Sequence, residues 1–171
     1  MTLLPILEYP NDLLTKPTTK VKTVTQQIKT LIDGMVATMR SVDGLGLAAP
    51  QVGHGIRLTV IEYRPGKGER KEDAIPLMVL VNPKIISHSA DREVGDEGCL
   101  SLPGIEIPIV RPRKIKVKTQ TDTGETIQFR ASGLLARIIQ HEIDHLDGKL
   151  IIDHVKQKER VLRAYMAKRT K

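Results

Sequence analysis

The apolar residues between positions 132 and 148 recur with the period of an α-helix. Leu134, Ile138, His141 and His145 stand at spacings of four, seven and eleven residues, so they share one face of that helix. A second apolar stripe runs beside the first, which makes the helix apolar over a wide arc. A helix of this kind is normally buried, and the pattern therefore predicts a central helix surrounded by other elements.

The rest of the chain predicts two more helices and several strands. Residues 25–42 keep helical apolar spacing, and a basic helix with a sparse apolar face is expected after Asp153. Residues 1–20 are expected to cover the surface as an arm. Alternating or β-branched runs predict strands at 57–63, 77–81, 84–88, 115–119, 126–130 and 149–152, with Asn82-Pro83 separating the second from the third. This order favours an α+β fold in which mostly antiparallel strands pack around the central helix, between an N-terminal and a C-terminal helix.

Composition narrows the class of protein. The 171 residues fit a single domain, 1–171, with 153–171 as its basic C-terminal helix. Hydrophobic residues make up 40% of the chain, and no apolar run approaches the ~18 residues of a membrane span. The first residues lack the basic region of a signal peptide. The only cysteine, Cys99, allows no internal disulfide and favours a reducing compartment.

The net charge is +7, and much of the excess lies after Asp153. A basic segment of this kind suggests an acidic or nucleic-acid neighbour, and a solvated basic surface is the alternative. Aromatic residues make up only 2% of the chain, so stacking recognition of single-stranded bases has little support.

The predicted central helix also carries the pattern His-Glu-x-x-His at residues 141–145. Histidines four residues apart can direct both imidazoles at one metal ion, and Glu142 beside them is placed to act as a base. A core helix with two satisfied histidines is the alternative. Burying two imidazoles and a carboxylate is costly unless something pairs with them, and a metal ion supplies that pairing.

A catalytic site of the zinc type needs three protein ligands and one open position. Cys99, in the sequence EGCLS at residues 97–101, is the favoured third ligand because a thiolate donates strongly to a metal. His154 and Glu159 also follow the two histidines, but neither stands in a pattern that favours ligation.

Residues 44–53, GLGLAAPQVG, are too rich in glycine for a helix interior. Gly44 and Gly46 permit the close approach of a ligand or another segment, because no Cβ blocks it. A tight turn from helix to strand is the alternative. The stretch is not a dinucleotide fingerprint, since the third glycine is missing and the stretch follows a helix instead of a strand.

Three of these stretches resemble, in order and spacing, the signature motifs of the peptide deformylase family: GLGLAAPQ at 44–51, EGCLS at 97–101 and HEIDHLDG at 141–148. The opening ILEYPND also resembles that family's N-terminal stretch, so the resemblance covers nearly the whole chain. The C-terminal helix and the unbroken stretch before Cys99 look like the family's bacterial and organellar first type.

The resemblance implies an enzyme that hydrolyses the formyl group from N-formyl-methionyl nascent peptides and releases formate. It implies one divalent metal ion per chain, Fe²⁺ with Zn²⁺, Ni²⁺ or Co²⁺ as substitutes, held by Cys99, His141 and His145. Glu142 would be the general base and then the acid. Gln51 and the backbone N–H of Leu100 would stabilise the oxyanion.

The same resemblance implies which residues contact the substrate. Gly46 and Gly98 would hold the substrate by backbone contacts. The residues that would line the pocket for the methionine side chain are Leu45, Leu134, Ile138 and His141. Arg111 matches a position that is usually basic in the family, and we expect it to support the site without touching the substrate. Glu106 stands where some relatives carry a basic residue, which bears on peptide preferences and not on the chemistry.

Two other functions stay open on the residues alone. A metallopeptidase shares His-Glu-x-x-His but explains neither EGCLS nor the glycine-rich stretch. A binding module would dock its basic tail on ribosomal RNA, and its metal would be only structural. The open fourth position and the free Glu142 argue against a purely structural metal. An enzyme acting on nascent chains would itself gain from a ribosome-facing basic helix. We expect a cytoplasmic protein, or one of an organellar matrix or stroma, with no membrane and no DNA partner.

Overall fold

The computed structural model describes residues 2–68 and 70–169. Within these residues the helices are α1 (Gln26–Ser41), α2 (Gly133–Leu146) and α3 (Lys158–Arg169). The strands are β1 (Gly46–Ala48), β2 (Leu58–Tyr63), β3 (Ile75–His88), β4 (Arg92–Gly98), β5 (Glu106–Pro112), β6 (Lys114–Gln120) and β7 (Thr126–Ser132). Short 3₁₀ helices lie between some of them. No helix in the described part of the chain is long and apolar enough to cross a membrane.

The strands form two antiparallel sheets, which confirms the predicted α+β class. One sheet has five strands in the order β1-β2-β3-β6-β7, and β4 pairs with β5 in a separate hairpin. Helix α2 packs against the larger sheet, where Ile139 and Ile143 share a core cluster with Ile61 and Val117. The same helix reaches the hairpin through Arg137, which donates to backbone carbonyls of β4 and β5. Because α2 contacts both sheets, its side chains can meet residues from either one.

Two further core clusters attach the other helices. Met35 and Met39 of α1 pack with Leu47 of β1 and Leu58 of β2. Tyr165 of α3 packs in a third cluster, whose buried members also include Cys99, Leu102, Ile107 and Ile151. Helix α3 is therefore fixed to the segment that follows β4. Its presence confirms the prediction of a basic C-terminal helix.

The N-terminal segment follows the surface and is held there by backbone hydrogen bonds to two other parts of the chain. The backbone N–H of Leu7 donates to the carbonyl of Gln51 at 2.7 Å, and that of Tyr9 donates to the carbonyl of Ser101 at 2.9 Å. Leu14 enters the core and is fully buried. The arm therefore connects the glycine-rich stretch to the segment around Cys99.

Strand β3 runs unbroken from Ile75 to His88, so the prediction of two strands separated by Asn82-Pro83 is wrong. The ladder with β6 shifts register between Val81 and Lys84, and Asn82 adopts a left-handed φ of 53°. The Asn82 side chain accepts from the N–H of Val21 and donates to the Val21 carbonyl. The Asn-Pro pair thus lies in a β-bulge that hydrogen bonds to Val21, outside the sheet, stabilise, and the strand continues beyond it.

Two other strand predictions also fail. The expected strand at 149–152 is replaced by a 3₁₀ helix, Ile151–His154, because the N–H of Leu150 bonds to Asp153 Oδ2 at 2.8 Å. Strands β4 and β5 were not predicted at all. Their inward-facing positions include charged residues, Glu97 on β4 and Arg111 on β5, which hides the apolar alternation that marks a strand.

Candidate active site

Helix α2 and the turn after β4 bring together three side chains of the types that ligate metal ions. Sγ of Cys99 lies 3.3 Å from Nε2 of His145, and that nitrogen lies 3.2 Å from Nε2 of His141. All three ligand atoms lie within 4.8 Å of one another. Ligands around one tetrahedral ion of the zinc type stand roughly 3.3–3.6 Å apart. The donor set formed by Cys99, His141 and His145 therefore fits a single divalent cation.

The electrostatics at the meeting point of the three donors also fit a cation. Burial lowers the pKa of His145 well below its ordinary value, which leaves a neutral imidazole with a lone pair to donate. Burial opposes the charged form of His141 too, but its contacts with Cys99 and Glu97 outweigh burial and raise its pKa to about 10. His141 therefore holds a positive charge, in the form of a proton, and a bound metal ion would displace that proton.

Glu97 fixes the orientation of the first histidine. Its Oε2 lies 3.0 Å from Nδ1 of His141, so Nε2 of that ring faces the donor set. Arg111 donates to both oxygens of the same carboxylate, at 2.7 and 2.8 Å, and Arg137 donates to Oε1 at 2.8 Å. Burial opposes the ionised form of Glu97, but these hydrogen bonds dominate and hold its pKa well below the ordinary value. An anionic partner of this kind orients a ligating histidine and increases its basicity.

Glu142 lies on α2 directly after His141 and is almost completely buried, with 3% of its surface exposed. Its Oε2 accepts a hydrogen bond from the hydroxyl of Thr59 on β2 at 3.0 Å. Burial raises the pKa of Glu142 to about 7, against the opposing effects of His141 and Thr59. A carboxyl group with this pKa can both take and return a proton near neutral pH.

The amide of Gln51 is held in one orientation. Its Oε1 accepts from the N–H of Ala48 at 2.9 Å, and its Nε2 donates to Ser101 Oγ at 3.1 Å and lies 3.9 Å from Cys99 Sγ. The donor end of the amide therefore faces the donor set. Leu100, the next residue after Cys99, lies in the same region and is partly buried.

A cleft of about 740 Å³ opens beside these groups. Every site residue predicted from the sequence except His145 lines it, and His145 is buried behind it. Leu45 on one side and Leu134 on α2 leave 37% and 40% of their surfaces exposed, so apolar surface is available to a ligand. Ile138 lies on α2 between Leu134 and the two histidines, about one turn from Leu134 and from His141. The structure therefore brings the predicted residues into one place; their roles stay predictions.

Some residues of the site could not be assigned from the sequence. Arg111 lies outside the cleft, as expected, and contacts Glu97 and Asp144. Thr59, Glu97 and Arg137 received no role, because each acts on a partner far along the chain. For Glu97 one signal was present: it is a carboxylate inside the EGCLS motif, two residues before Cys99. His154, given no role, lies 2.7 Å from Asp144 and away from the donor set.

A carboxylate of near-neutral pKa beside a Cys-His-His donor set defines a class, the metal-dependent hydrolases. The family model described as polypeptide deformylase matches residues 3–161. The chain belongs to the polypeptide deformylase family. It is a metal-dependent hydrolase that removes the N-formyl group from the initiator methionine of newly made polypeptides and releases formate.

Individual relatives agree with this assignment. The chain is 41% identical to the peptide deformylase of Thermodesulfovibrio yellowstonii over 162 residues, which cover 95% of this chain and 94% of that protein. The crystal structure of peptide deformylase from Ehrlichia chaffeensis in complex with actinonin matches with a TM-score of 0.89 at 35% identity and covers 98% of each chain. A Met-Ala-Ser-bound crystal structure of the class I type b enzyme from Acinetobacter baumannii matches with a TM-score of 0.83 at 35% identity, over 90% of this chain and 99% of that one.

Proposed function

We propose that Glu142 is the general base and then the general acid of deformylation in this chain. The observation that carries the proposal is the position of this carboxylate, buried beside the three donors and open to the cleft. Glu142 takes a proton from the attacking water, whose oxygen adds to the formyl carbon. It then returns the proton to the leaving amine, as its near-neutral pKa allows.

Cys99, His141 and His145 would hold the metal ion. Thiolate and imidazole donors suit Fe²⁺, Zn²⁺, Ni²⁺ or Co²⁺ better than Mg²⁺ or Ca²⁺. Among these, Fe²⁺ is our proposal for the ion in the cell, with the others as substitutes. When bound, such an ion supplies Lewis-acid polarisation of the formyl oxygen and a lowered pKa for water.

Gln51 and Leu100 are proposed to stabilise the charge that develops on the formyl oxygen. The Gln51 amide is held by Ala48 and Ser101, so its N–H donor needs little reorganisation when charge appears. The backbone N–H of Leu100 is proposed as the second donor. Loss of one donor of this kind typically lowers kcat by about 10²–10³.

The apolar side of the cleft is proposed to bind the methionine side chain. Leu134 and Ile138 stand two turns and one turn before His141 on α2, so a side chain packed on them is delivered beside the metal site. Leu45 and the ring of His141 complete this pocket. Gly46 and Gly98, on the cleft surface at β1 and β4, are proposed to meet the substrate backbone.

Formate release from a formyl-Met tripeptide tests the assignment of Glu142. Wild-type protein, loaded anaerobically with Fe²⁺ or with Ni²⁺, should release formate. Glu142→Ala should keep its metal content and lose at least about 10²–10⁴ in turnover, because it removes the proton-transfer group. Glu125→Ala is the matched control, since Glu125 is exposed in the turn between β6 and β7. Wild-type turnover in Glu142→Ala would refute the role of this carboxylate.

Ribosome contact through the basic C-terminal segment is also a proposal. Residues 156–171 contain seven Lys or Arg and one Glu, and Lys156 and Arg163 are exposed. Lys156→Glu with Arg163→Glu should reduce co-sedimentation with ribosomes at low salt, because contacts with phosphates are electrostatic. Lys67→Glu with Lys71→Glu, in the loop between β2 and β3, makes the same charge change elsewhere. Equal co-sedimentation of the two double variants would contradict the contact. Because the substrates are formylated nascent chains, the enzyme must work in a compartment that makes them, and we propose that this compartment is the cytoplasm.

A further inference from the structure

We propose that the substrate cleft continues into a groove along helix α3, and that this groove binds the downstream part of the formylated chain. The groove is a second cavity of about 600 Å³, formed between the segment 103–106 and α3. This inference rests on the proposed substrate site, because it extends that site beyond the methionine and its first neighbours.

Continuity between the two cavities is the first support. Both are lined by the same four consecutive residues, Pro103, Gly104, Ile105 and Glu106. These residues follow Cys99 and end at Glu106, the first residue of β5, so they separate the donor set from α3 along one short stretch of chain. A peptide that leaves the cleft over this segment enters the groove directly.

The groove has an apolar base that is fixed to the core. Tyr165 of α3 is only 3% exposed and belongs to the core cluster that includes Cys99. Val161 of α3 and Ile105 of the shared segment are partly buried against the same cluster. The base of the groove is therefore held at a constant position relative to the metal-ligand cysteine.

Polar groups of both signs lie around this base. Glu106 stands on the shared segment, and Arg160 and Gln157 stand on α3, where Arg160 donates to Gln157 Oε1 at 3.2 Å. An extended peptide presents both N–H and C=O groups along its edge, and carboxylate, amide and guanidinium groups can pair with them. One acidic and one basic group give the groove no net charge. The groove is therefore suited to peptide backbone of varied sequence.

The chemistry of the substrate identifies the occupant. The enzyme acts on newly made polypeptides, so every natural substrate extends beyond its formylated residue. An extended chain advances about 3.3 Å per residue, so a few residues beyond the methionine carry it past the segment 103–106. The occupant of the groove is therefore the part of the substrate chain downstream of the methionine, which must pass the segment 103–106 in every reaction.

The test compares formyl-Met peptides of three, five and nine residues with neutral downstream sequences. For the wild-type enzyme, kcat/KM should rise with length by about tenfold, the effect of ~1.4 kcal/mol of added binding. Ala164→Trp fills the groove, because Ala164 lines it from α3. This variant should lose the rise with length while its kcat/KM for the tripeptide stays as in the wild type. Unformylated nine-residue products, measured by fluorescence anisotropy, should show the same loss of affinity.

Arg163→Trp is the matched control, since Arg163 neighbours Ala164 on α3, is exposed and does not line the groove. It should keep the rise with length. Equal kcat/KM for all three lengths in the wild type, or equal length dependence in the two tryptophan variants, would overturn the proposal. A wild type that releases no formate even from the tripeptide would instead refute the proposed substrate site, and the anisotropy of the nine-residue product would still decide whether the groove binds peptide.

Discussion

At the scale of single residues, the site depends on one glycine that makes room for the carboxylate that we propose as the catalytic base. Gly46 lies on β1 opposite α2, and a Cβ built on it would overlap the carboxylate of Glu142. The backbone of Gly46 has no left-handed conformation that would by itself demand glycine. The space taken by Glu142 therefore leaves no room for a side chain at this position.

Gly46→Ala should lower kcat/KM by about 10²-fold or more, because a displacement of about 1 Å in a reacting group has an effect of this size. Metal content should be unchanged, since Gly46 contributes no ligand. Gly55→Ala is the control, because a Cβ there would meet only Leu13 at 3.4 Å, an ordinary contact. Steady-state kinetics and metal analysis of both variants check this. Wild-type kcat/KM in Gly46→Ala would show that Glu142 can move without cost.

The residues that the sequence could identify are those whose relation is local. His141, Glu142 and His145 lie within little more than one helical turn, so their spacing alone predicts that they share a site. Thr59 could not be identified, because its bond to Glu142 spans 83 residues. A buried threonine on a strand carries no mark of its partner until the sheet and α2 are placed together.

At the scale of elements, the hairpin of β4 and β5 is joined to α2 by one buried carboxylate. Glu97 of β4 contacts Arg111 of β5, and both Arg137 and His141 of α2. Cys99 follows directly after β4, so the same contacts determine where its sulfur meets the two histidines. The ligand geometry is therefore a consequence of how the hairpin docks on the helix.

Glu97→Gln should weaken metal binding about 10–100-fold, because it removes the anionic partner of His141. It should also lower the free energy of unfolding by about 3–5 kcal/mol, since it leaves the buried guanidinium of Arg111 with an incomplete set of partners. Metal titration and urea denaturation of the metal-free protein measure the two effects separately. Glu93→Gln on the same strand removes only ion pairs with partly exposed groups and should change stability by less than about 1 kcal/mol. Similar losses in the two variants would exclude a special role for Glu97.

Helices and strands were predicted correctly where apolar residues recur at regular spacing. The predictions failed where polar or charged side chains occupy buried positions. Helix α1 begins and ends within one residue of the range expected for it, and helix α2 within two residues. Strands β4 and β5 escaped notice because Glu97 and Arg111 occupy inward positions that apolar residues normally fill. The break expected at Asn82 was wrong because Val21, 61 residues away, provides the contacts that stabilise the bulge.

At the scale of the whole molecule, the donor set joins two bodies of structure. His141 and His145 lie on α2, which packs on the five-stranded sheet through one core cluster, whereas Cys99 belongs to the cluster that contains α3. The sequence predicted the α+β class but not the strand order, because strands such as β3 and β6 pair across long stretches of chain. A metal ion between the two clusters connects parts of the fold that each have their own core.

Metal binding should therefore stabilise the whole fold. At a free metal concentration of 100 times Kd, a ligand that binds only the folded state adds about 2.7 kcal/mol to the free energy of unfolding. For a domain of this size that corresponds to a rise in Tm of roughly 5–10 °C, which differential scanning calorimetry before and after anaerobic chelation would measure. Cys99→Ser, with a poorer ligand, should show a smaller rise in Tm at the same metal concentration. When both proteins are free of metal, the variant should have nearly the Tm of the wild type. An equal rise in both proteins would remove Cys99 from the ligand set, whereas no rise in either would mean that the metal does not bind preferentially to the folded protein.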